Sequence, residues 1–132
     1  MSESGAGPSA AERVVFIDDE ADVCRANQQS LELDGYRVET FGAAAPALTA
    51  ILADPPGLVI TDVRLPDLDG NALFARLRAI DPELPVILIT GHGDIRMAVA
   101  AMREGAYDFL AKPVDPDVLA LTVEREIGRA HV

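Results

Sequence analysis

A doubly wound α/β fold, with five parallel strands covered by helices on both faces, is what this sequence predicts, and two observations carry the prediction. Short apolar runs recur along the chain, VVFI, GLVI and VILI among them, with little of the polar alternation of a half-exposed strand; runs of this kind belong to strands buried on both faces. Stretches with helical spacing separate them, and strands alternating with helices pair in parallel. The chain has 132 residues, of which 49% are hydrophobic, enough for one domain around one core.

The elements follow in order. Residues 1–11, MSESGAGPSAA, have neither a basic start nor a continuous apolar run, so they read as a flexible tail rather than a secretion signal and leave 12–132 as the folded domain. Strands are predicted near 13–18, 36–41, 57–61, 85–89 and 107–111. The first helix, about 20–33, stops before Gly35, a left-handed helix end. The second, about 43–53, is Ala-rich and closes at Asp54-Pro55-Pro56-Gly57. A third runs from around Asn71 to near Ile80, because Pro82 and Pro85 lack the donor that a continuing helix needs. The fourth, 94–104, puts Ile95, Ala98, Val99 and Met102 on one face and ends at Gly105. The last follows Asp115-Pro116, a cap and first-turn pair. Its residues Leu119, Val123 and Ile127 form a core-facing stripe, with Val118 and Leu121 left over.

Charge removes several classes of function. With 22 acidic residues against 11 basic, the net charge is −11 and no run of Lys or Arg interrupts it, so the chain repels nucleic acid and anionic membranes. The longest uncharged stretch, Thr40 to Ala53, carries Gly42 and Pro46 and falls short of the ~20 apolar residues that span a bilayer. Cys24 is the one cysteine, which suits a reducing compartment, by default the cytoplasm.

In doubly wound sheets ligands bind beyond the carboxyl ends of the strands. The residues at those ends are Asp18 and Asp19 after strand one, Asp62 after strand three, Thr90 after strand four and Lys112 after strand five. The first turn reads VVFIDDE, four apolar residues followed by three acids, where a nucleotide site would need glycines and backbone donors. Acids that converge this way form the ligand set of a hard divalent cation, with Mg²⁺ keeping part of its water. Taken singly, each residue has a plainer use. Asp18 and Asp19 serve as well to start a helix, Asp62 to start the turn through Pro66, Asp69 and Gly70, Thr90 as a strand residue and Lys112 as a turn lysine. Taken together, a carboxylate, a metal, a hydroxyl and an ammonium are what is needed to accept a phosphoryl group, with Asp62 as the central nucleophile.

Over residues 13 to about 128 the chain resembles the receiver domains of two-component response regulators. The likeness lies in FIDDE, TDVRLPDLDG, ILITG and the Lys112-Pro113 step. It implies a flavodoxin-like sheet in the order 2-1-3-4-5, with Asp62 as phosphoacceptor and a sensor histidine kinase as phosphodonor. Asp19, Asp62 and the backbone carbonyl of Arg64 then ligate Mg²⁺ directly, Asp18 acts partly through water, and Thr90 and Lys112 sense the phosphoryl group. Phe109 occupies the switch-aromatic position, where the family often has Tyr; Tyr107 offers a polar contact or simple packing. The Lys112-Pro113 bond is expected to be cis. ITGHGDIRMAVAAMREGAYDFLAKPV, LELDGYRVETF and LPDLDGNALF are similar to the receivers of regulators that activate sigma-54-dependent transcription, above all those of C4-dicarboxylate transport. Such proteins continue into an ATPase and a DNA-binding domain, so the chain reads as an excised regulatory domain.

Arg64 and His92, two residues beyond Asp62 and Thr90, are placed to set the lifetime of an acyl phosphate. Val118 and Leu121 suggest a homodimer through helix four, strand five and helix five, although single exposed apolar residues are common. The domain is expected to react only at its own acceptor and not to turn over a substrate. The alternatives are a stand-alone receiver in a phosphorelay, an unreactive scaffold, and an aspartyl phosphatase, disfavoured because Arg64 stands where its acid–base carboxylate belongs.

Overall fold

The computed structural model describes residues 13–91, 93–106 and 108–130, the last three of these by backbone alone. The tail predicted over 1–11, and the residues His92 and Tyr107, lie outside them. The elements run β1 (Arg13–Ile17), α1 (Ala21–Leu33), β2 (Arg37–Phe41), α2 (Ala44–Ala53), β3 (Leu58–Asp62), α3 (Gly70–Ile80), β4 (Val86–Thr90), α4 (Ile95–Arg103), β5 (Asp108–Ala111) and α5 (Pro116–Ala130). All strands are parallel, in the expected order β2-β1-β3-β4-β5.

The unalternating apolar strands are used on both faces, as the two-residue period of a strand requires. Val15, Ile17, Val59, Val86 and Leu88 point to one side and pack with Ala47, Ile51, Leu73 and Leu77 of α2 and α3. Val14, Phe16, Leu58, Ile60, Ile87 and Ile89 point to the other and pack with Leu31, Leu119 and Val123 of α1 and α5. Burial of each such side chain contributes roughly 1.5–3 kcal/mol, so these layers hold the strand ends in fixed relation. In register, Ile17 lies beside Phe41 and Thr61, Asp62 beside Ile89, and Thr90 beside Ala111. The five loops that follow the strands therefore open on one edge.

Helix ends follow local chemistry. Gly35 (φ 96) and Gly105 (φ 107) take the left-handed backbone that follows α1 and α4. Asp69 accepts from the Ala72 N–H at 2.8 Å, which starts α3 at Gly70, one residue earlier than predicted. Asp115 accepts from the Asp117 N–H at 2.8 Å and starts α5. The start of α2 is capped from elsewhere in the chain. Asp67, in the loop after β3, takes the Ala44 and Ala45 N–H groups on its two carboxylate oxygens at 2.9 and 2.8 Å.

Two differences from the sequence reading affect the site. β3 and β4 each extend one residue further than predicted, so Asp62 and Thr90 are the last strand residues and are backed by the ladder. The expected face of α4 is divided: Ala98 and Ala101 are buried, while Ile95 (49% exposed) and Val99 (40%) lie on the flank. The two small side chains let α4 approach the sheet closely, and Met97 and Met102 pack partly against the core beside them.

Gly70 leaves no room for a side chain. Its N–H donates to the Val63 carbonyl at 2.7 Å, and an added Cβ would stand 2.7 Å from the Val63 Cα. Gly70→Ala is expected to lower stability by about 1–3 kcal/mol, read from urea unfolding. The hydrogen bond from Ala44, then that from Ala45, holds the Asp67 carboxyl below its ordinary pKa of 3.8. The unfolded chain binds that proton first, so the stability from this cap is full above the ordinary value and is lost as pH falls through the depressed one. Asp67→Ala is expected to lower stability at neutral pH and to flatten its acid limb between about pH 5 and pH 2, followed by the same unfolding assay.

Candidate functional site

β1 runs into Asp18, which is 1% exposed even though the two acids after it stand in solvent. Its backbone N–H continues the ladder to the Phe41 carbonyl at 3.0 Å, and its Oδ1 accepts from the Glu20 N–H at 2.9 Å. That turn folds the acidic run back on itself. Carboxylate oxygens of Asp18, Asp19 and Glu20 come within 4.8 Å of one another. Asp62 is 6% exposed; its Oδ1 accepts from the Arg64 N–H at 3.0 Å, leaving Oδ2 directed to the far side of the site.

Lys112 arrives from the end of β5. Its backbone N–H donates to the Thr90 carbonyl at 2.8 Å, and the Lys112-Pro113 bond is cis, as expected. Its Nζ reaches Asp62 Oδ2 at 2.8 Å, Asp18 Oδ2 at 2.9 Å and Glu20 Oε1 at 3.1 Å. One ammonium thus ties three strand ends together. Burial works against that charge, but hydrogen bonds to Asp62, Asp18 and Glu20 outweigh it and hold Lys112 above the usual lysine pKa. Asp18 moves the other way from most paired acids. Burial raises its pKa, and the Glu20 N–H and Lys112 offset that only in part. The Cys24 thiol, also raised by burial and by Asp18, donates to the Asp18 carbonyl at 3.2 Å and packs as a core residue.

The remaining predicted residues divide. Thr90 is 1% exposed, and among the described residues its hydroxyl makes only a long 3.5 Å contact, to the Leu110 carbonyl. Phe109 is half-buried against the α2–α3 side of the core. The Arg64 side chain leaves the cluster altogether and pairs with Asp94 at 2.6 Å. His92 lies outside the described residues. Sequence reasoning listed Glu20 among the converging acids but gave it no contact with the lysine, and it missed Asp94. The third acid of the DDE run was the signal for Glu20; for Asp94 only an acid at a helix start was visible.

Three carboxylates contact one ammonium and Asp19 lies beside two of them, so negative charge is in excess. Asp18 Oδ2 shows the consequence: it is fully buried and, despite the short ion pair, receives no well-directed hydrogen bond. An oxygen-only donor set with a surplus of charge and an orphaned buried oxygen fits a hard divalent cation.

The sequence model of the response regulator receiver domain matches residues 14–124. The chain belongs to that family. It is 52% identical to the C4-dicarboxylate transport transcriptional regulatory protein DctD of Rhizobium meliloti over 117 residues, 89% of this chain and 25% of that protein. It is 36% identical to the DNA-binding transcriptional regulator NtrC of Escherichia coli K12, covering 87% of this chain and 24% of that one. The receiver thus spans about a quarter of the length of these relatives. Among solved structures, the receiver domain of NtrX from Brucella abortus superposes with a TM-score of 0.83 at 41% identity, over 87% of this chain and 98% of that one. No helix among the described residues of the receiver is long and apolar enough to cross a membrane.

Replacing the buried acid tests the surplus charge. In chelator, Asp18→Asn is expected to raise the thermal midpoint by a few degrees, since ~1 kcal/mol of relief moves it about 3–6 °C at this size, as followed by circular dichroism.

Proposed function

We propose that this receiver accepts a phosphoryl group on Asp62 from the phosphohistidine of a sensor kinase and passes the event to an attached output domain. The observation that carries the reading is the nucleophilic carboxylate of Asp62 held 2.8 Å from the Lys112 ammonium inside a cluster with excess negative charge. Asp18, Asp19, Asp62 and the Arg64 carbonyl would hold Mg²⁺, which when bound supplies positive charge against the entering phosphoryl oxygens.

This chain's own residues do the rest. A deprotonated Asp62 oxygen attacks phosphorus; the new O–P bond forms as the P–N bond breaks, and the leaving imidazole keeps the electron pair. Lys112 neutralises the carboxylate before transfer and the phosphoryl oxygens after it. Thr90, weakly held by Leu110, turns its hydroxyl to the new acceptor, and the half-buried Phe109 ring follows the space it leaves. Water then cleaves the O–P bond, giving back the carboxylate and inorganic phosphate, at a rate that Arg64 and His92 set through access to the in-line position. The receiver modifies itself and turns over no second substrate.

The relatives are named transcriptional regulators of about four times the matched length, which supports an output in transcription; the resemblance extends that to a sigma-54-type ATPase and a DNA-binding domain, working in the cytoplasm. Ile95 and Val99 of α4 and Val118 (45% exposed) and Leu121 (66%) of α5 are exposed apolar side chains, and an Arg125–Asp108 ion pair links α5 to β5. These side chains support a homodimer that phosphorylation shifts.

Intact mass after acetyl phosphate with Mg²⁺ is expected to show one added phosphoryl group, absent in Asp62→Asn and in chelator; an unlabelled wild type overturns the reading. Leu121→Arg is expected to leave that labelling intact while weakening self-association about tenfold or more, as one buried hot spot does, measured by sedimentation velocity.

A further inference from the structure

We propose that Asp94 is the resting partner of Arg64, and that a phosphoryl group on Asp62 draws the guanidinium away from it, releasing the start of α4. The inference rests on Asp62 being the acceptor. Asp94 is 4% exposed and is the N-cap residue of α4, yet its side chain caps nothing. Asp69 and Asp115 stand at equivalent places in this chain and do accept from their helices. Asp94 instead gives Oδ1 to Arg64 Nε at 2.6 Å, across a sequence separation of 30 residues.

Arg64 is the one described residue that touches both ends of the relay. Its backbone N–H is 3.0 Å from Asp62 Oδ1, and its guanidinium holds the residue from which α4 begins. The partners are unequal. The Arg64 side chain is 71% exposed, whereas that of Asp94 is 5% exposed. A guanidinium in solvent moves between anions at little cost, and a phosphoryl group two residues away offers several charged oxygens to its planar fork. A buried carboxylate left behind does not stay unpaired, because its desolvation is no longer offset. Asp94 then turns to the free amides of the first turn of α4 or to water, and either moves the loop after β4.

The fully buried contacts of α4 are the methyl groups of Ala98 and Ala101, with Met97 and Met102 packed partly against the core, and its far end is held by the Arg78 guanidinium on the Glu104 carbonyl at 2.6 Å. Release at Asp94 therefore frees one end of a helix whose inner face is two alanines beside two adaptable methionines, and that helix carries the exposed Ile95 and Val99.

Hydrogen–deuterium exchange of the first-turn amides of α4, run beside intact mass, tests this. In unphosphorylated protein, Arg64→Ala and Asp94→Asn are each expected to raise exchange there about threefold or more, as local opening does. The double variant is expected to show no more than either single one, and Arg64→Lys an intermediate rise. With acetyl phosphate and Mg²⁺, the wild type is expected to gain the same increase and Arg64→Ala no further one. Unchanged exchange in the resting Arg64 variants, additive effects, or a full phosphorylation response in Arg64→Ala overturns the proposal. Should Asp94→Asn not fold, the two Arg64 variants, at an exposed side chain, decide it. A wild type that takes no phosphoryl group overturns the acceptor reading and this inference together; a labelled wild type with unchanged α4 overturns the inference alone.

Discussion

The ammonium of Lys112 is the contact on which the site is built. It lies within 3.1 Å of carboxylates from three places in the chain, Asp18, Glu20 and Asp62. A single positive charge holds the ends of β1, β3 and β5 together, yet it cannot neutralise all the acids around it. Low dielectric strengthens both attraction and repulsion. The cluster consequently favours added positive charge.

Such a cluster survives because the sheet beneath it is stiff. Both faces of β1, β3 and β4 are covered, and the residues preceding the acids, Phe16, Ile17, Thr61 and Ile89, are fully buried. Close packing leaves those strands no room to relax away from one another. α4 meets the body through Ala98 and Ala101, through Met97 and Met102 packed partly against the core, and through polar contacts at its two ends.

The loop after β3 shows how the two parts are joined. Over eight residues it carries the buried Asp62, the Arg64 that reaches α4, the Asp67 that caps α2 and the Asp69 that starts α3. Gly70 closes it against Val63, where no side chain fits. Each acid has a different backbone or cationic partner. Chemically similar residues a few positions apart thus serve as partner of Lys112, tether and helix cap.

Most of the fold was legible before any coordinates. Apolar runs without alternation, proline stops and glycine ends depend on local sterics and on burial of both strand faces, which a linear pattern expresses directly. The gathering of Asp18, Asp62, Thr90 and Lys112 was legible for a related reason: parallel strands place their carboxyl ends on one edge, so residue type at the end of each run is enough. Partnership was not. That Asp67 would cap a helix 23 residues earlier, that Asp94 would hold Arg64 rather than its own helix, and that α4 would turn Ala98 and Ala101 inward depend on how loops cross and how closely helices approach. Those are settled by the packed chain, because a long side chain reaches several neighbours and only the folded backbone determines which is near.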